Sequence, residues 1–131
     1  MREQRELSVP IARPFAEVAA FLAQPLNYPL WAAGLGNGLR HDDAGWWVQT
    51  PQGEMRVQFS EANAEGIADH VVYPPNAAPV QVPLRVLDRG AGCEVVLTLI
   101  PQPPMSDADF EADAQLVRRD LQTLKTLLES R

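Results

Sequence analysis

The stretch ADHVVYPP, residues 68 to 75, sets an aspartate and a histidine side by side in a segment with the composition of a β-strand. Adjacent strand residues point to opposite faces of a sheet, so only one of Asp69 and His70 can reach an interior. A carboxyl turned inward among apolar side chains gains proton affinity by desolvation and can serve as an acid or a hydrogen-bond donor. Four other residues carry reactive atoms. His41, Asp42 and Asp43 could ligate a metal, but they sit at a hairpin tip with no further ligand nearby and are read as a solvated turn, so no metal is expected. Cys93 is the single cysteine; it has neither a disulfide partner nor a CxxC spacing, and beside valines it is read as a small buried hydrophobe.

The face on which Asp69 lies is decided by the strands around it. Residues 5 to 11, RELSVPI, alternate polar and apolar and predict a first strand. Pro14 suits the first turn of a helix whose Phe15, Val18 and Leu22 share one face and which Pro25 ends. A second short helix is expected near NYPLWAAGL, with Asn27 as its cap and Pro29 in its first turn. From residue 34 to 101 the turn signals GLGNG, DDAG, TPQG, ANAEG, PPNAAP and DRGAG separate runs rich in Val, Leu, Ile and aromatics. About six strands of an antiparallel meander fit between them. Ser106 with Asp109 resembles a capping box that opens a helix of about six turns. Phe110, Ala114, Val117, Leu121, Leu124 and Leu128 form its single apolar stripe, which the sheet must cover. The whole is an α+β arrangement in one domain, 1–131.

Keeping the apolar residues of each hairpin on one face gives a register. A tight turn at Pro51 and Gln52 pairs Val48 with Met55 and Trp46 with Val57. A loop at Pro75 to Ala78 pairs Tyr73 with Val80 and Val71 with Val82. A loop at Arg89 to Gly92 pairs Val86 with Val95, Leu84 with Leu97 and Val82 with Leu99. With a three-residue loop at Ala62 to Ala64, Val57 lies opposite Asp69, which becomes the one charged residue on the apolar face. His70 then faces outward with Arg85 and Glu94, close enough on the diagonal for a surface ion pair, and Trp47 faces Arg56 as a ring and cation contact. Asp69 is open to two readings: a proton-carrying group in a cavity, or a core carboxylate bonded to Trp46 or Tyr73.

Bulk properties narrow the partners. The chain has 131 residues, 46% apolar and 21% charged, with 12 prolines, as befits a turn-rich globular protein. Acidic residues outnumber basic ones 17 to 11, a net charge of -6 that opposes a nucleic-acid partner. No run approaches the ~20 apolar residues of a membrane span, and MREQRELSVP lacks the apolar core of a signal peptide, so a cytoplasmic location is expected.

The order of strand, two short helices, meander and long last helix resembles the helix-grip fold of the START, Bet v 1 and polyketide cyclase (SRPBCC) superfamily. SVPIARPFAEVAAFLAQPLNYPLWAAGL is similar to the first strand and paired helices of its bacterial members, with Trp31 after the second helix. DHVV, VPLRVL and the segment from Gly92 to Ser130 resemble a small bacterial branch of it. The resemblance implies a curved sheet of about seven strands wrapped around the last helix. It also implies a cavity for a small hydrophobic molecule; this chain lacks residues matching the iron or Rieske apparatus of the oxygenase members, and no cofactor is expected. Carried onto this sequence, the cavity surface comprises Trp46, Met55, Asp69, Val71 and Tyr73 from the sheet, Phe110, Val117 and Leu121 from the helix, Met105 at an entrance and Trp31 on another side. Three functions follow as alternatives. The first is a hydrophobic-ligand binder with Asp69 as polar anchor. The second is a cyclase or dehydratase using Asp69 as acid or base, its best catalytic candidate. The third is a fully packed interaction protein whose outer face, with Trp47, Leu87, Val96 and Ile100, would contact a partner or a second copy, leaving monomer or homodimer open.

Overall fold

The computed structural model describes residues 3–33, 38–50, 53–102 and 105–131. Alternation of polar and buried residues makes Arg5–Ile11 the first strand, β1, with Leu7, Val9 and Ile11 turned inward. Pro14 precedes helix α1, Phe15–Leu22, which buries Val18, Phe21 and Leu22. The second helical segment is a 3-10 helix, Pro25–Leu30, with proline at its start, and Asn27 is not its cap. Asn27 Nδ2 instead donates to the Phe21 carbonyl, tying the segment back to α1 at 3.0 Å.

Seven more strands follow: β2 (Arg40–Asp42), β3 (Gly45–Thr50), β4 (Gly53–Phe59), β5 (His70–Tyr73), β6 (Val80–Val82), β7 (Leu84–Asp88) and β8 (Cys93–Leu99). Eight strands among the described residues thus stand where about seven were expected. They pair in the orders β2-β3-β4-β5-β6 and β1-β8-β7, antiparallel throughout. Pro83 separates β6 from β7; its carbonyl accepts the Thr98 N–H at 2.9 Å, and the Val82 to Leu99 pairing does not form. The expected pairs Trp46 with Val57, Val48 with Met55, Leu84 with Leu97 and Val86 with Val95 are observed. The tight turn assigned to Pro51 and Gln52 lies outside the described residues.

Around β5 the register differs. Val57 stands opposite Val72 and Phe59 opposite His70, so β5 is displaced by three residues from the expected pairing. An odd displacement exchanges the two faces. The pairing of β5 with β6 also moves by one, to Val72 with Val80 and His70 with Val82. The cause lies in the connection from Ser60 to Asp69, which is no three-residue turn. Asn63 Oδ1 accepts the N–H groups of Glu65 and Ile67 at 3.0 and 3.1 Å, and its Nδ2 donates to the carbonyls of Glu61 and Ile67. Gly66 follows with φ of 76°, and its carbonyl accepts from Val86 N–H; a Cβ there would lie 2.7 Å from the Val86 oxygen. Ile67 bridges Arg85, and Ala68 N–H donates to Leu84. The loop therefore docks on β7 and absorbs the residues that a short hairpin would have placed in β5.

Helix α2, Asp107–Glu129, begins at the expected capping box, with the Ser106 hydroxyl accepting from Asp109 N–H and the Asp109 carboxylate accepting from Ser106 N–H. It buries Phe110, Ala114, Leu121, Leu124 and Leu128 and lies against β1. Its carboxyl end is tied down by Arg13 Nε donating to Leu128 O at 3.0 Å, by Ala12 N–H donating to Glu129, and by Lys125 Nζ donating to Pro10 O. Among the described residues no helix is long and apolar enough to cross a membrane.

Candidate functional site

Between the sheet and α2 lies a cavity of about 100 Å³ lined by Tyr28, Trp31, Ala32, His70, Leu97, Val117 and Asp120. Its residues come from the 3-10 helix and the turn after it, from β5, from β8 and from the middle of α2. Tyr28 is 2% exposed and is the hub of an aromatic cluster. Its ring centroid lies 5.4 Å from Trp31, 5.0 Å from Phe59 and 5.5 Å from His70, the last in edge-on geometry. Trp46 meets Phe59 edge-on at 5.9 Å and carries His41 on its other side at 4.6 Å. Such offset and edge contacts match the positive rim of one ring to the negative face of another.

Three of the residues around this region carry polar groups. Trp31 is 5% exposed, and its buried indole N–H has no hydrogen-bond partner among the described residues. His70, 6% exposed, places Nδ1 3.3 Å from the Ala68 carbonyl. A carbonyl only accepts, so the proton belongs on Nδ1 and Nε2 is left as an acceptor. Asp120 is half-buried; burial pushes its carboxyl above the usual range, partly offset by the Ala33 N–H that donates to it and by Arg119. The Tyr28 phenol is pushed upward by burial first and by the Asp69 charge second, and stays protonated.

Burial lowers the His70 pKa, against smaller opposing contributions from the Ala68 carbonyl and from Asp69. In the unfolded chain histidine takes its proton near pH 6.5, so below that value the unfolded state binds more protons than the folded one. Stability is therefore expected to fall as pH drops from about 6.5 through the lower folded pKa. Asp120 works with the opposite sign, nearer the carboxylate range. Urea unfolding between about pH 8 and about pH 5 should show the loss, and His70→Asn should flatten the slope; equal slopes in the two proteins would remove His70 as the cause.

The structure overturns the expected orientation of Asp69. It lies on the side of the sheet away from the cavity, where Oδ1 accepts from Leu84 N–H at 2.9 Å and from Arg85 Nε at 2.8 Å, and Oδ2 accepts from Arg85 at 2.7 Å. The Arg85 guanidinium and the Leu84 N–H hold its carboxyl below the usual range, outweighing its partial burial. Asp69 is thus an ionised surface acceptor, neither a proton-carrying acid nor a core group bonded to Trp46 or Tyr73. His70, expected outside, takes the interior position.

Of the ten expected cavity residues, Trp31 and Val117 line the cavity. Trp46 and Met55 pack half-buried on the inner side of the sheet without reaching it. Val71 stands opposite Gln58 and Gln81, on the outer face. Tyr73 is also there, under the Arg56 guanidinium at 4.1 Å and donating to Gln58. Phe110 is buried near the start of α2 beside Arg5, and Leu121 packs in the core. Met105 is half-exposed ahead of the helix. Tyr28, Ala32, His70, Leu97 and Asp120 were missed. Asp120 had a signal, since it stands three residues after Val117 and four before Leu124, flush with the apolar stripe.

Other surface contacts also settle differently. Arg85 pairs with Asp69, and Glu94 with Arg89 at 2.7 Å. Trp47 stands opposite Arg56 in register, yet the cation over its ring is Arg40, at 5.4 Å. Asp42 is engaged by Arg40, the Trp47 indole and Ala44 N–H, which hold its carboxyl down at about 2. Cys93 is buried, and burial first, then the charges of Asp88 and Glu17, push its thiol up.

No protein-family model matches the sequence, and no curated protein matches it. Solved structures do match in shape. The protein XoxI from Bacillus cereus superposes with a TM-score of 0.72 at 12% identity, over 96% of this chain and 95% of that one. Ara h 8.0201, a Bet v 1 allergen, gives 0.62 at 11% identity, over 98% and 99%. The chain has the helix-grip fold. The di-domain ARO/CYC protein BexL, from the BE-7585A biosynthetic pathway, gives 0.68 at 16% identity over 98% of this chain and 47% of its own, so this helix-grip chain spans about half of it. At such identities the likeness concerns architecture, and the helix-grip arrangement is what the strand order and last helix had led one to expect.

Proposed function

We propose that this helix-grip chain is a binding protein for a small, mainly apolar molecule held between the sheet and α2, with residues 1–131 acting as one unit. The observation that carries the reading is the partly open pocket where Tyr28, Trp31, Leu97 and Val117 fail to close on one another, with His70 and Asp120 among its lining residues. Ligand sites characteristically combine apolar walls with a few placed polar groups. The volume of about 100 Å³ favours a compact occupant over a lipid or fused polyketide. An acid–base enzyme built on Asp69 is not supported, because its carboxylate is held ionised by Arg85 away from the cavity. Native mass spectrometry of the gently purified full chain, followed by extraction and identification of bound molecules, tests the reading. A one-to-one adduct of low mass is expected. A bare mass, combined with no saturable response to added small aromatics, would instead favour a packed core and a partner-binding role.

A further inference from the structure

The outer face of the five-stranded sheet carries a row of side chains that the binding role leaves unused. Four strands contribute one residue each, in register: Arg40 of β2 stands opposite Trp47 of β3, Trp47 opposite Arg56 of β4, and Arg56 opposite Tyr73 of β5. Guanidinium and ring alternate along it. Arg40 lies 5.4 Å from the Trp47 ring and Arg56 4.1 Å from the Tyr73 ring. Arg40 is also held by Asp42 and Glu54, at 2.7 Å each, whereas Arg56 has no ion-pair partner among the described residues. A guanidinium is planar, so with the Tyr73 ring on one side its other side stays open to a second ring. Trp, Tyr and Arg are the residue types that dominate the buried centres of protein interfaces.

The order of the row decides which partner fits. A two-fold axis running along the strands between β3 and β4 turns the row end to end. Because the row alternates over an even number of places, each guanidinium then faces a ring of the second copy, Arg56 of one meeting Trp47 of the other and Arg40 meeting Tyr73, and an isologous contact must match itself in this way. The neighbouring row agrees, since Gln49 and Glu54 are also a cross-strand pair and the same axis sets the amide of one copy on the carboxylate of the other. Charge permits the approach. The whole chain has a net charge of -6, yet this face balances Arg40 and Arg56 against Asp42 and Glu54. A polyanion would find there a single uncommitted cation, too little for phosphate-driven binding. We propose that the outer face of β2 to β5 is the interface of a reversible homodimer, in which each guanidinium of the row is held between a ring of its own chain and a ring of the second copy. Four strands at a spacing of about 4.8 Å make the row only about 14 Å across, so the interface is small and the dimer dissociates on dilution.

Sedimentation equilibrium of the full chain from micromolar to millimolar concentration tests this, together with the tryptophan indole N–H resonances of the ¹⁵N-labelled protein over the same range. The average mass is expected to rise from one chain toward two. The Trp47 resonance, assigned by its loss in Trp47→Phe, is expected to shift along the same curve while that of the buried Trp31 stays in place. Arg56→Gln removes no ion pair among the described residues and is expected to weaken the dimer at least about tenfold, because the two-fold loses the contact with Trp47 twice. A one-chain mass at every concentration would overturn the proposal. So would a dimer whose Kd is the same in Arg56→Gln, since the contact would then lie on another face. If circular dichroism shows that the variant does not fold, the native resonances decide: a Trp47 signal that stays fixed while the mass doubles removes the outer face as the interface, and one that moves with the mass supports it.

Discussion

Tyr28→Ala is expected to lower the free energy of unfolding by about 3 to 5 kcal/mol, the range for deleting a buried aromatic ring. Tyr28 is buried, and its ring joins the 3-10 helix to β4 through Phe59 and to β5 through His70, with Trp31 on its other side. Deletion would forfeit the apolar burial and leave a cavity whose walls belong to three different elements, which limits how far they can collapse. Domains of this kind carry only about 5 to 15 kcal/mol in total, so a large part of the stability is at stake. Tyr28→Phe keeps the ring and should cost much less. Urea unfolding followed by circular dichroism checks both, and an unchanged midpoint for the alanine variant would show that the cluster does not hold these elements together. Where the alanine variant remains folded, the cavity should admit larger rings than the native one, readable as a reversal of preference between a one-ring and a two-ring aromatic.

Asp69→Ala is the second large effect, expected at about 1 to 3 kcal/mol, and its origin is a backbone donor more than an ion pair. Removing the carboxylate leaves Leu84 N–H, at the first residue of β7, without the partner it has at 2.9 Å. The pair with Arg85 adds little, because the arginine side chain is half exposed and water screens it. Asp69→Asn keeps an acceptor for Leu84 and should lose less. The folded pKa of Asp69 is depressed, so its contribution is fully present above the unfolded carboxylate value of about 3.9 and is lost as pH falls below it through the folded pKa. Ligand affinity should be unaffected in either variant, since Asp69 does not line the cavity. A folded Asp69→Asn protein that no longer binds the ligand of the native chain would restore the carboxylate to the site.

The elements themselves were legible because local periodicity encodes them. The apolar stripe of α2 repeats at helical spacing, Ser106 and Asp109 satisfy each other's backbone donors over three residues, and so few residues separate β3 from β4 and β7 from β8 that the apolar alternation leaves one register open. The connection from Ser60 to Asp69 resisted the same treatment. Alternation says which residues share a face only once the loop length is known. Asn63 and Gly66 build there a longer structure whose last residues pair with β7. Asn63 followed three residues later by Gly66 was the available signal of a longer turn.

By itself, then, the sequence determined the α+β architecture, the first strand, the helices α1 and α2, the β3-β4 and β7-β8 hairpins and the apolar face that α2 offers, since each depends on patterns among near neighbours in the chain. The tertiary structure alone decided that His70 looks inward and Asp69 outward. A three-residue displacement of one strand reverses both, and that displacement is set by backbone hydrogen bonds between the loop and β7. It alone also assembled the cavity, because Tyr28 and Trp31, His70, Leu97, and Val117 with Asp120 lie in four separate stretches of the chain. Whether facing side chains close up or leave space depends on how their shapes meet when the sheet curves around the helix, and no pattern along the chain expresses that.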